Sequence, residues 1–350
     1  MERRVEVGVL GATGMVGQQF IRFLQGHPWF EVTWLGASRR SAGKKYVEAA
    51  NWTLDGGVPE SIARQTVHEA KPTNGAPKLM FSAMDASVAG EIEQAFASAG
   101  HFVVSNSRNH RMEPDVPLLI PEVNAEHLEI IPAQRKNRGW DGAIVTNPNC
   151  STITMALGLA PLKPFGIRKI LGATLQAISG AGYPGMPSMD IVGNVVPFIK
   201  NEEEKMESET QKILGDYAGG KIAHLPAAVS AHCHRVAVVD GHTVAVSVEL
   251  DRRPGVDALA DAIASYRGIP QQKSLPSAPR QPVHVMPDDN RPQPRKDALL
   301  EDGMAIAVGR IRECPILDYK MVILGHNTIR GAAGAAVLNA ELLLEQGLLD

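Results

Sequence analysis

The chain has 350 residues, a length that suits two domains, and 44% of them are hydrophobic, so each domain can bury a core. Charged residues make up 21% and the formal net charge is −3, with no basic run longer than a few residues, which argues against a nucleic-acid-binding surface. No apolar stretch reaches the roughly 18 uncharged residues of a membrane span, and three cysteines, odd in number and unclustered, do not make a disulfide framework.

The opening "MERRVEVGVLGATG" runs straight into a strand and lacks the apolar region and cleavage site of a signal peptide, so a cytoplasmic protein is expected. The alternating strand Val5–Leu10 leads to glycines at 11, 14 and 17. An amphipathic helix follows, with Phe20, Ile21, Phe23 and Leu24 on its apolar side. Strand, glycine turn and helix in that order let the backbone approach a pyrophosphate, whose charge the helix N-terminus then meets. Gly11, Thr13, Gly14, Met15 and Val16 are the candidate cofactor contacts of this turn. The second strand, "FEVTWLGAS", ends at Ser38. An acidic residue there favours NAD, but this chain has Ser38, Arg39, Arg40 and Ser41, with Lys44 and Lys45 behind. Guanidinium groups suit a 2′-phosphate, so NADP is expected over NAD.

Strands over 78–84, 101–107 and 142–148 and a helix over 86–100 continue the alternation. Repeated βα units predict a parallel, doubly wound sheet, with ligands beyond the carboxyl ends of its strands. Ser82, a cofactor candidate, Ala83, Asn106 and Cys150 all lie at such ends and are expected to face one crevice.

Cys150, in "TNPNCSTI", has three readings. As a metal ligand it lacks partners: "AHCHRV" supplies His232, Cys233 and His234 but no second cluster, so no metal is expected. As a core residue it has polar neighbours in Asn147, Pro148, Asn149, Ser151 and Thr152. As a nucleophile it sits where a strand ends and a helix begins. There the helix dipole and free backbone N–H groups favour thiolate and suit an oxyanion. A thiol beside a nicotinamide implies attack on an acyl carbon or aldehyde, with hydride moving to or from that carbon.

From Ser151 the rhythm changes. "KILGATLQAIS", "AAVSAHCHRVAVVD", "HTVAVSVEL" and "MAIAVGRIREC" read as strands of an antiparallel or mixed sheet. Helices are predicted over 189–215 and 256–268. The proline-rich 269–297 reads as an ordered excursion near the active site or at a subunit contact. A last helix, 327–347, carries Ala, Val and Leu at helical spacing.

"GATGMVGQ", "NPNCST", "LQAISGAGYPG", "HRVAVVDGH" and "HNTIRGAAG" occur in order over nearly the whole chain. Together they resemble the aspartate-semialdehyde dehydrogenase family, in its archaeal and fungal branch. The resemblance implies an α/β fold: a doubly wound Rossmann-type NADP domain over 1–149 and 328–350, and an α+β catalytic and dimerisation domain with a mixed sheet over 150–327. It implies NADPH-dependent reduction of L-aspartyl-4-phosphate to L-aspartate 4-semialdehyde and phosphate, by a homodimer or homotetramer. It implies Cys150 as nucleophile, Gln176 as orienting residue and His242 as acid/base partner. Arg235 matches the ligand of the substrate carboxylate, Arg111 a phosphate ligand, and Asn149 stands beside the nucleophile as a substrate contact. Glu202 and Lys205 match contacts to the amino group and phosphate, with Glu203 competing for the role of Glu202. Asn327, Ser179, Gly180 and Gly182 match cofactor contacts. N-acetyl-glutamyl-phosphate reductase and malonyl-CoA reductase are the alternatives with the same cysteine chemistry, and "NEEEK" together with "NPNC" favours the aspartyl substrate over them. A catalytically inactive NADP-binding regulatory protein is the alternative from another class, opposed by the intact Cys150, Gln176, Arg235 and His242.

Overall fold

The computed structural model describes residues 4–73 and 75–349. The domain limits expected at residues 1 and 350 lie outside them. Strands β1 (Val5–Leu10), β2 (Phe30–Ala37), β3 (Val67–Glu69), β4 (Leu79–Ser82), β5 (Phe102–Ser105) and β6 (Ala143–Thr146) form one sheet, all parallel, in the order β3-β2-β1-β4-β5-β6. β4, β5 and β6 are buried along their whole length, which is why they read as unbroken apolar runs. The chain moves outward from β1 through β2 and β3, then crosses to β4. The switch point between β1 and β4 opens a crevice beyond the strand ends. β3 is too short for its periodicity to show in the sequence.

The second half forms a mixed sheet. Along the chain come β7 (Ile167–Gln176), β8 (Val195–Val196), the hairpin β9 (Asp216–Ala218) and β10 (Lys221–Ala223), β11 (Ala228–Val236), β12 (His242–Leu250), β13 (Val283–Met286), β14 (Ile306–Glu313) and β15 (Tyr319–Gly325). The hairpin stands apart and the rest order as β13-β14-β15-β12-β7-β11-β8. β7 runs parallel to β11 and antiparallel to β12, so Gln176 lies opposite Arg235, and His242 opens β12 at the same end.

Two expectations fail here. Residues 189–215 are not one helix: β8 adds to the edge of β11 and Asn201 turns at φ +59°, leaving Ser188–Ile191 and Glu202–Ile213 as separate helices. Gly193 and Pro197, helix breakers both, carried that signal. β15 was missed although Tyr319, Met321 and Ile323 alternate inward along it. The excursion over 269–297 is ordered and reaches the site. Pro294, with Ala298 just after it, lies against Gly241, next to His242.

Two elements join the halves. The helix Cys150–Leu159 is buried from Ser151 onward, as an all-round apolar helix must be, and packs against β12, β14 and β15. The final helix, Gly334–Glu345, returns to the first sheet, where Val337, Leu338 and Leu342 share a core with Phe20, Phe30 and Phe81. It is entered through a π-turn, Ile329–Ala333. There Arg330 makes a bidentate pair with Glu122, at 2.8 and 2.6 Å, both side chains fully buried.

Candidate active site

The glycine turn fits a dinucleotide. Gly11 takes φ +74°, a conformation disfavoured for side chains. A Cβ on Gly17 would fall 2.3 Å from Gly11 O, so the helix can dock on the strand only with glycine there. Met15–Phe23 begins after Gly14 with no side-chain cap, and around Gly14 only Gly11 O comes within 4 Å of an added Cβ. The first N–H groups of this helix are thus oriented for an anion.

Cys150 is presented by its neighbours. Asn149 caps the helix, its Oδ1 accepting from the N–H groups of Ser151 (2.9 Å) and Thr152 (3.2 Å). Those amides are therefore occupied and do not serve as the free oxyanion donors expected from the sequence. Cys150 Sγ lies 3.3 Å from His242 Nε2. His242 Nδ1 accepts the N–H of Ala177 at 3.1 Å, so the neutral ring carries its proton on Nε2, toward the sulfur.

The expected low-pKa thiol is not what this environment makes. Burial pushes the Cys150 thiol up to about 12, with Glu202 adding to it, while Arg235, Lys205 and Arg111 pull the other way. Burial, with Arg235 nearby, pushes His242 down to about 3. Loss of hydration outweighs the helix dipole, and the resting pair is neutral thiol and neutral imidazole. Because the thiol stays protonated below its raised pKa, iodoacetamide alkylation of Cys150 is expected to be slow at pH 7 and to climb about ten-fold per pH unit through pH 9. A plateau below pH 8 would contradict the neutral pair.

Cations surround the thiol. Arg235 is buried and donates to Ala177 O at 2.7 Å. Burial depresses its pKa. Glu202 receives Asn149 Nδ2 (3.0 and 2.9 Å) and Lys205 Nζ (2.5 Å). Glu203 turns away and accepts the N–H of Cys233, so of the two acids Glu202 faces the cysteine turn. Arg111 reaches in from beyond β5, held by Glu209 Oε1 (2.9 Å) and Asn106 O (2.8 Å). Gln176 is buried, with its Oε1 unpartnered among the described residues. This is a thiol beside an imidazole and several cations, backed by a π-turn that also packs on the helix after the glycine turn: equipment for acyl transfer and reduction of an anionic substrate.

Residues 6–131 match a family model described as "Semialdehyde dehydrogenase, NAD binding domain", and 159–330 match "Semialdehyde dehydrogenase, dimerisation domain". The chain is 53% identical to the aspartate-semialdehyde dehydrogenase of Methanothermobacter thermautotrophicus, over 97% of this chain and 99% of the relative. It is 46% identical to that of Saccharomyces cerevisiae, over 98% of each. The chain belongs to the aspartate-semialdehyde dehydrogenase family. A crystal structure of the Candida albicans enzyme with NADP, 44% identical, superposes with a TM-score of 0.91 over 99% of this chain and 100% of that one.

Some candidates in this family member lie differently from expectation. Ser82 is fully buried and its hydroxyl donates to Glu93 Oε1 at 2.6 Å, away from the crevice, because that buried carboxylate needs donors. Both ends of the Asn149 amide are used internally, so it acts as cap and strut. Asn327 Nδ2 donates to Ser179 Oγ at 2.8 Å and its Oδ1 accepts from Gly241 N at 2.8 Å, tying two loops together. Gly180 lies on the site: a Cβ there would fall 2.7 Å from Arg235 Nη1 and 3.0 Å from His242 Nε2. Gly182 turns at φ +75° with open space around it. Arg39 Nε donates to Glu69 Oε1 at 2.7 Å on an exposed edge, beside Arg40, Ser38 and Ser41. Thr13 O accepts from Gln18 Nε2, just before Met15 and Val16 start the helix. The sequence reading missed Glu209 and Lys212, although both fall on the helical face of Glu202 and Lys205. It also missed Gly331, where a Cβ would meet Cys150 Cβ at 2.7 Å.

Proposed function

We propose that the chain carries out NADPH-dependent reductive dephosphorylation of L-aspartyl-4-phosphate to L-aspartate 4-semialdehyde and phosphate, through a thioester on Cys150. The observation that carries this reading is the Cys150–His242 contact at 3.3 Å, within reach of the charges of Arg235, Arg111 and Lys205 and backed by the π-turn that also packs on the helix after the glycine turn. Arg235 receives the substrate carboxylate, Glu202 the amino group, and Arg111 and Lys205 the phosphate. Cys150 Sγ attacks the acyl carbon, the C–O bond to phosphate breaks, and the thiol proton leaves on the phosphate oxygen as hydrogen phosphate. His242 Nε2–H steadies the charge on sulfur during attack; when the aldehyde carbonyl re-forms, the C–S bond breaks with its electron pair on sulfur, Nε2–H protonates the sulfur back to thiol, and the ring regains a proton from solvent. Gln176 holds the acyl group in line.

NADPH, when bound, supplies the hydride that reduces the acyl carbon. Gly11, Thr13, Gly14, Met15 and Val16 would hold its pyrophosphate. Ser38, Arg39, Arg40 and Ser41 would hold its 2′-phosphate, and Ser179, Gly180, Gly182 and Asn327 the nicotinamide end. The two separate sheets support a division into 1–149 with 328–350 and 150–327. The exposed face of β7, with Leu171 and Leu175 at its surface, supports a homodimer or homotetramer, and a cytoplasmic setting suits the three free cysteines. Among the described residues no helix is long and apolar enough to cross a membrane.

The test is NADP reduction followed with L-aspartate semialdehyde and phosphate. Activity is expected with NADP, and the paired substitution Arg39→Ala/Arg40→Ala is expected to raise KM for NADP about ten-fold or more while leaving NAD nearly unchanged. Absence of activity there, with activity on malonyl-CoA and NADPH, overturns the substrate; unchanged NADP affinity overturns the 2′-phosphate assignment.

A further inference from the structure

The helix Glu202–Ile213 carries a second buried carboxylate that the proposed mechanism does not use. Glu209 is 1% exposed, and its two oxygens serve different masters: Oε1 accepts Arg111 Nη1 at 2.9 Å and Oε2 accepts the backbone N–H of Asn149 at 2.7 Å. Asn149 is the cap that presents Cys150, and Arg111 is 98 positions from Glu209 along the chain. One rigid side chain therefore bridges the thiol-bearing turn and a cation on the loop after β5. One turn further along, Lys212 Nζ donates to the carbonyls of Arg111 (2.7 Å), Glu113 (2.7 Å) and Val116 (2.8 Å), fixing that loop to the same helix. The guanidinium is left with its Nε unpartnered among the described residues and buried, a donor held in place without a protein acceptor. Glu202 contacts Asn149 from the preceding turns of the helix, through the amide instead of the backbone.

We infer that Glu209 is a positioning residue that sets the distance and orientation between the phosphate-binding guanidinium of Arg111 and the Cys150 turn. This rests on the reading of Arg111 as a phosphate ligand. A bidentate carboxylate between a cation and a backbone N–H fixes both partners at once. A guanidinium held in advance loses less freedom on meeting a phosphate. Without Glu209, Arg111 keeps its charge but no longer its register with the thiol.

The experiment is a double-mutant cycle in the direction that consumes phosphate. Glu209→Gln retains shape and one acceptor but not the ion pair. It is expected to lower kcat/KM for phosphate about ten-fold or more, with KM for the aldehyde and for NADP within two-fold of the parent. In an Arg111→Leu background, the same Glu209→Gln change is expected to cost less than about three-fold, because the coupled partner is gone. An equal loss in both backgrounds overturns the coupling and leaves Glu209 as support for the cysteine turn alone. Near-parent phosphate kinetics in Glu209→Gln, with Arg111→Leu impaired, also overturns the inference. If Arg111→Leu itself leaves phosphate KM unchanged, the phosphate reading beneath it is what fails. Should Glu209→Gln not fold, Glu209→Asp carries the same comparison, since it keeps the charge but is one methylene short of spanning both donors.

Discussion

Cys150→Ser is expected to lower turnover by about 10³-fold or more while NADPH still binds within two-fold of the parent affinity. The hydroxyl is smaller than the thiol and branches from the same Cβ, so it makes no clash and the fold has no reason to change: Gly331 packs against the Cβ, which serine retains. What is lost is the nucleophile. An alcohol at this position meets the same burial that pushes the thiol to about 12, and starts from a much less acidic group. His242, with Nδ1 engaged by Ala177 and its own pKa pushed to about 3, is a poor base for rescuing it. Turnover by rapid-mixing absorbance and NADPH binding by fluorescence titration separate the two effects. Activity within ten-fold of the parent would end the covalent mechanism.

The neutral resting pair fits such a site. A permanently ionised thiol is open to oxidation and alkylation, whereas a thiol that ionises only as it attacks is protected until substrate arrives. Arg235, Arg111 and Lys205 already pull the thiol pKa downward, and in the proposed reaction the leaving phosphate oxygen would take the proton.

How far the sequence could reach depended on the range of the interactions. The parallel sheet was legible because each strand buried on both faces is a short apolar run bounded by turn residues, and Ala143–Thr146 is an example. The cysteine turn was legible because capping is local: Asn149 and the amides it caps lie within three residues. The ionisation state of Cys150 was not, because a dipole acts from its own helix while burial comes from β12, the π-turn and the glutamate helix together. The direction of Ser82 was hidden for the same reason. Nothing in "LMFSAM" announces a carboxylate eleven residues later, in a helix that turns back over the strand. The long helix expected over 189–215 failed at the edge strand Val195–Val196, whose conformation is set by pairing with Arg235 and Val236. Glu202 and Glu203 are adjacent acids in the sequence, and only packing against Asn149 on one side and Cys233 on the other distinguishes them.

Glu122→Gln is expected to destabilise the protein by about 3–5 kcal/mol, the range for removing one partner of a buried ion pair. For a chain of 350 residues that corresponds to a fall in Tm of roughly 4–7 °C. Arg330 is fully buried and cannot reach water, so its charge would face a neutral amide in place of a carboxylate. The site already carries a cost, since Arg330 Nε has no partner among the described residues. Three parts of the chain meet here. Glu122 follows the loop after β5, its carbonyl accepts the Tyr266 hydroxyl at 2.6 Å, and a Cβ on Gly268 would fall 2.4 Å from its Cα. Arg330 is the second residue of the π-turn, and the next one, Gly331, backs Cys150. A calorimetric scan of Glu122→Gln measures the effect, and a loss under about 1 kcal/mol would mean that packing around the pair holds the turn without it. Glu122→Leu combined with Arg330→Met removes both charges, so it is expected to recover most of the lost stability. Its kcat separates the two roles of the pair: recovered stability with depressed turnover means that the charges shape the π-turn behind the thiol, and recovery of both means that the pair serves the fold alone.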